Sequence, residues 1–298
     1  MAETQEIVTI GGPGLSAGIA NDGAELQWLR DTQARDLLWD GDPAFWNGRA
    51  PILFPIVGAV ADGVIRVDGR DYPLPRHGFA RRRTFTLVDR SPAQARFRLE
   101  ADAETRAIYP FDFRLDLVFT IDEATLDIAA ELTSPSDAPL AASFGFHPAF
   151  RWPLPYGQPR DAHRLVFAAD EPAPVRRLDG DGLVRPDALP SPIEGRTLKL
   201  EDRLFDDDAL ILDRPASRRV TYGAPGAPGL QIDFADMPML GIWTKPGAGF
   251  LCIEPWAGIA DPAGFTDDFH EKPGVVTVGP GGMHRFGMRI TITDTIER

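Results

Sequence analysis

Phe111-Asp112-Phe113-Arg114-Leu115-Asp116-Leu117-Val118-Phe119-Thr120-Ile121 alternates large apolar residues with mostly polar ones. Successive side chains of a strand point to opposite faces, so this period of two predicts a strand with one face buried. Asp122-Glu123-Ala124-Thr125 then reads as a turn, and Leu126, Ile128, Ala130 and Leu132 return with the same alternation. Upstream, Phe85 and Leu87 are expected to pair with Phe97 and Leu99 across a turn at Ser91-Pro92. The result is an antiparallel meander with one face in the core.

The same signals extend outward. Ile7 to Ile10, Ala24 to Leu29 and Leu37 to Trp39 read as strands, and Val64 to Tyr72 as a hairpin turning at Asp68-Gly69. Val220 to Phe234 and Leu240 to Glu254 read as hairpins, and Val275 to Val278 and Phe286 to Ile292 as closing strands. Pro51 and Pro55 interrupt the apolar run Ala50 to Gly58, which is therefore a buried irregular segment. The 29 glycines and 28 prolines suit many short strands joined by turns. Residues 151–200 lack periodicity, and no boundary divides the chain. We expect one all-β domain over residues 1–298, a large sandwich of antiparallel sheets.

Composition narrows the function. A net charge of −13 disfavours nucleic acid and anionic membranes as partners. One cysteine excludes an internal disulfide framework and a cysteine-based zinc cluster. No signal peptide is visible at the start and no apolar run reaches ~20 residues, so a cytoplasmic location is expected. Dinucleotide, P-loop, nucleophile-elbow and zinc-protease motifs are all missing. The histidines include no pair at metal-ligand spacing, and no cofactor is expected.

Three stretches carry chemistry. In Phe250-Leu251-Cys252-Ile253-Glu254-Pro255-Trp256, an apolar strand ends in a carboxylate held extended by the following proline. Such a buried carboxylate needs a partner or a raised pKa, both suited to a general base. In Ser143-Phe144-Gly145-Phe146-His147-Pro148, His147 faces away from the two phenylalanines, beside small residues, and a proline again follows it. In Pro73-Leu74-Pro75-Arg76-His77-Gly78-Phe79-Ala80-Arg81, prolines stiffen the approach to His77. Two positioned histidines and a buried glutamate near Trp46, Trp243 and Trp256 suit proton transfer on a carbohydrate.

These motifs, with Gly23-Ala24-Glu25-Leu26, Pro51 to Gly58 and Trp243 to Gly247, lie in order over about residues 20–280. Together they resemble the aldose 1-epimerases, the galactose mutarotase-like proteins, and within them the LacX branch. The resemblance implies the β-sandwich called a supersandwich and interconversion of the anomers of a small-molecule aldose. It implies that Glu254 is the general base, His147 the general acid at the ring oxygen, and His77 a second histidine holding that oxygen. It also implies sugar contacts from Asp208 or its neighbour Asp207, and from Arg81 and Trp256. Where many relatives carry arginine after Pro-Ile-Val-Gly, this chain has Ala59. A hexose-6-phosphate epimerase and a non-catalytic sugar-binding protein remain the alternatives. If Arg81-Arg82-Arg83 is extended, alternation prevents all three from converging on a phosphate.

Overall fold

A computed structural model describes residues 6–296. Antiparallel sheets make up the protein: one of nine strands, one of six, and smaller sheets of three, two and two strands. The nine-stranded sheet is built around the meander. Arg114–Asp122 pairs with Thr125–Thr133 on one side and Gln94–Glu100 on the other. Leu115, Leu117 and Phe119 meet Leu132, Ala130 and Ile128 across one ladder and Leu99, Phe97 and Ala95 across the other. All nine side chains are buried. Full burial of each large apolar residue contributes about 1.5–3 kcal/mol of transfer free energy, which fixes this register. The long Met283–Thr293 strand joins the meander to the Arg219–Gly223/Gly229–Asp233 hairpin.

The six-stranded sheet carries Phe250–Ala257 at its centre, between Met239–Trp243 and the two segments Phe144–Phe146 and Ala149–Arg151. One continuous apolar core lies between the two large sheets, joining Phe97, Leu117 and Ile290 to Phe144, Phe146, Leu251 and Ile253. Alternation then directs Cys252, Glu254 and Trp256 to the opposite face of the six-stranded sheet.

Four details depart from the sequence-based expectation. Leu37 to Trp39 is not a strand; within it Leu38 alone makes a bridge, with Phe150. Leu87 pairs with Phe97 as expected but is exposed, because a register shift between Leu87 and Asp89 twists this edge strand, while Phe85 stays buried. The six-residue helix Ala103–Ile108, held by a capping box between Asp102 and Thr105, had no apolar period to announce it. Finally, Pro255 does not end its strand. The ladder to Met239–Trp243 runs unbroken past Pro255, and the missing donor falls on the side facing Phe146 and His147.

Residues 51–58 form the predicted buried irregular segment, with a two-residue strand at Ile52–Leu53. A fully buried ion pair holds its exit. Lys272 donates to Asp261 at 2.5 Å, and Asp261 accepts the Ala61 N–H at 2.9 Å while its own N–H bonds the Ala59 carbonyl. Removing one member of such a pair leaves an uncompensated buried charge. Lys272→Met is expected to destabilise the protein by about 3–5 kcal/mol, measured by denaturant unfolding.

Candidate active site

Glu254 and His147 form a cross-strand pair. The pairing Phe144↔Ala257 and Gly145↔Trp256 has the same register as Ala149↔Cys252, which places residue 147 opposite 254. The ladder is thinned there because Pro148 and Pro255 have no N–H to give, although the Ile253 N–H still donates to the Pro148 carbonyl at 3.3 Å. The two side chains fill the gap, with His147 Nδ1 3.3 Å from Glu254 Oε2. Neither atom has a well-formed hydrogen bond, so this is a close contact of two titratable groups. Trp46 stacks on the His147 ring at 4.9 Å and Trp243 meets it edge-on at 5.9 Å.

His77 is positioned by backbone. Its N–H donates to the Gly58 carbonyl at 2.8 Å, and the Gly58 N–H donates back to His77 Nδ1 at 3.1 Å. That second bond places the ring proton of neutral His77 on Nε2. His77 has a φ of +66°, a left-handed conformation costly for a side-chain-bearing residue and typical of over-determined functional positions. The Lys272–Asp261 pair fixes Ala59 to Ala61, so it steadies Gly58 and, through it, His77.

Burial sets the protonation of the site. It raises the Glu254 pKa well above the ordinary carboxylate range; the negative charge of Asp208 adds to this, while Arg76 and the Trp256 indole N–H oppose it. It lowers His147 to about 3, with Arg81 and Arg76 repelling the charged form. His77 is also pushed well below its ordinary value, by burial first and then by His147, Arg76 and Arg81. The unliganded pair therefore favours its uncharged state, a protonated carboxyl beside a neutral imidazole.

Glu254, His147, His77, Asp208, Arg81 and Trp256 all line one cavity of about 280 Å³. This is near the small end of ligand pockets, about 300 Å³, and suits a single sugar ring. Of the acidic run, Asp208 faces the cavity and Asp207 does not. The Trp256 indole lies flat because Gly145 and Gly241 lack side chains; a Cβ at Gly241 would meet the ring at 2.3 Å.

Two features were missed. Arg81 lies on the tight helical turn Ala80–Arg82, not on an extended segment, and Arg83 turns away to pair with Asp102 and Glu104. Arg76, quoted in the motif but given no role, also lines the cavity, 4.0 Å from Asp208. Its guanidinium and the Ala59 side chain crowd the same spot, 3.4 and 3.6 Å from where a Cβ of Gly182 would be. A cation therefore stands beside position 59, supplied from elsewhere in the chain. Spacing alone could not reveal this.

Comparison with known proteins agrees with this fold. The Lactococcus lactis protein LacX is 31% identical over 280 residues, covering 91% of this chain and 94% of LacX. A galactose mutarotase-like protein from Lactobacillus casei superposes with a TM-score of 0.89 at 29% identity, covering 97% of this chain and all of that one. A galactose mutarotase related enzyme from Lactobacillus acidophilus gives 0.88 at 27%, covering 98% and 99%. The family model described as aldose 1-epimerase matches residues 6–288. The chain belongs to the aldose 1-epimerase family.

Proposed function

We propose that the protein is an active aldose 1-epimerase that interconverts the α and β anomers of a free aldose. The observation that carries this is the buried His147–Glu254 contact opening onto a sugar-sized cavity. A binding protein needs no such pair, and burying two unpartnered titratable groups is costly unless chemistry uses them.

Transfer of the carboxyl proton from Glu254 to His147 Nδ1 turns the neutral pair into carboxylate and imidazolium. Glu254 then takes the proton of the C1 hydroxyl while His147 gives its Nε2 proton to the ring oxygen. The C1–O5 bond breaks, the C1 carbonyl forms, and the O5 hydroxyl is left free. Rotation about C1–C2 presents the other carbonyl face, and reversal of the proton transfers closes the opposite anomer. His77, neutral and carrying its proton on Nε2, donates to the ring oxygen as charge develops there. Asp208, Arg81 and Trp256 orient the ring by hydrogen bonds and stacking.

A second reading, a sugar phosphate as substrate, is favoured by Arg76. With Glu254 and both histidines neutral, Arg76 and Arg81 outweigh Asp208, and arginine binds phosphate well. Against it stand the pairing of Arg76 with Asp208 and the net charge of −13.

Glu254→Gln should lower turnover by about 10²–10⁴ with sugar binding retained, and His147→Asn should do the same, measured as anomer exchange by polarimetry or NMR. Near-wild-type turnover in Glu254→Gln would remove it as the base. Competition assigns the substrate: a hexose 6-phosphate with kcat/KM about tenfold or more above the free hexose, about 1.4 kcal/mol, would establish the second reading.

Protonation also predicts stability. Because folding raises the Glu254 pKa above its ordinary 4.5, the folded state holds the extra proton above that pH. Its contribution therefore falls as pH rises, until Glu254 ionises in the folded protein. Glutamine does not titrate. The stability of Glu254→Gln relative to wild type should thus grow by about 1.4 kcal/mol per pH unit above ~4.5, seen by denaturant unfolding at stepped pH. A difference that is flat with pH would mean Glu254 is ionised in the resting protein.

A further inference from the structure

We propose that His147, Cys252 and Glu254 form a binding site for a soft divalent cation such as Zn²⁺, and that the bound ion inhibits the enzyme by occupying its acid–base pair. The inhibition rests on the epimerase reading; the site itself does not.

The donors are a His147 ring nitrogen, Cys252 Sγ and a Glu254 carboxylate oxygen, all within 4.8 Å of one another. A tetrahedral ion with bonds of about 2.0–2.3 Å needs its ligands roughly 3.3–3.8 Å apart. The nitrogen and Oε2 already stand at 3.3 Å, so a shift of about an ångström closes the set. Both these atoms are buried and lack hydrogen-bond partners among the described residues. His147 is 8% exposed, Glu254 1% and Cys252 0%.

The frame is rigid. Cys252 and Glu254 project from the same face of one central strand, two residues apart, and Ala149 pairs opposite Cys252. The ligands thus come from a sheet, and the cavity side is left for a water as the fourth ligand. A thiolate and an imidazole favour zinc-like ions over magnesium or calcium.

Charge balances as well. Binding displaces the proton of the Cys252 thiol and the proton held by Glu254, while His147 coordinates as a neutral imidazole. Two negative donors then neutralise a divalent ion, so no net charge is buried. Arg76 and Arg81 face the same cavity and oppose a cation, neutral His77 adds no charge, and Asp208 offsets part of this. With Nδ1 and the carboxylate both committed to the ion, neither proton transfer can proceed.

Titrating the chelator-treated full chain with Co²⁺, without sugar, tests the site. One equivalent should bind with tetrahedral visible bands and a thiolate-to-cobalt band in the near ultraviolet, and Zn²⁺ should displace it. Cys252→Ala should lose the thiolate band and weaken Zn²⁺ at least about tenfold; Cys252→Ser, closer in size, serves if the alanine variant does not fold. In anomer exchange, Zn²⁺ should inhibit wild type, chelator should reverse this, and the ratio of rates with and without Zn²⁺ should move towards one in the Cys252 variant. No thiolate band, or unchanged Zn²⁺ affinity in the variant, overturns the site while normal exchange leaves the epimerase reading standing. The band without any exchange activity overturns the inhibition and the epimerase reading but establishes the site.

Discussion

The constraint on which the site depends is a gap in a hydrogen-bond ladder. Pro148 and Pro255 sit on facing strands beside His147 and Glu254, and each withholds the donor that regular pairing would use. A sheet normally has no room for unsatisfied groups, so its interior is a poor place for a reactive carboxylate. Here the gap falls on one side of Phe250–Ala257, while the Met239–Trp243 ladder holds the strand in place on the other. The prolines thus make a local opening in a rigid frame. Two side chains meet there with their geometry fixed by register and not by flexible loops.

The remaining support converges on the same spot. Gly58 holds His77 by two backbone bonds, and a buried ion pair from the far end of the sequence holds the residues that follow Gly58. Lys272 and Asp261 look like a costly way to fix a loop, since apolar residues of similar volume could fill the space. Their value lies in direction. Asp261 accepts one backbone N–H and donates its own to a carbonyl two residues away, which apolar packing would not specify.

How much of this was legible follows from the range of each interaction. Alternation is local, so Leu115, Leu117 and Phe119 announced their strand and its buried face without knowledge of their partners. His147 and Glu254 were legible for the same reason: each breaks an apolar pattern and is followed by proline. What was hidden depends on contacts between distant residues. Arg76 is an ordinary loop arginine until the fold brings it beside Ala59 and Asp208. Cys252 reads as core until His147 is placed opposite its strand neighbour. The strand's continuation past Pro255 was hidden too, because a proline reports a lost donor but not which neighbouring strand loses it.

Burial is at once the cost and the means. It raises the carboxyl and lowers the imidazoles, so the resting pair is uncharged and contributes little to the cavity's field. Arg76 and Arg81 then dominate that field, and among the described residues lining the cavity Asp208 opposes them. A ligand's hydroxyls meet an indole face, two guanidinium groups and one carboxylate, a mixture that orients a polar ring without requiring it to be ionic. In the reaction proposed above, charge separation arises when Glu254 gives its proton to His147. Arg81 and Arg76 disfavour the imidazolium there while Arg76 steadies the carboxylate, and in the proposed reaction that imbalance makes the imidazolium a strong acid towards a ring oxygen as the C1 hydroxyl is deprotonated.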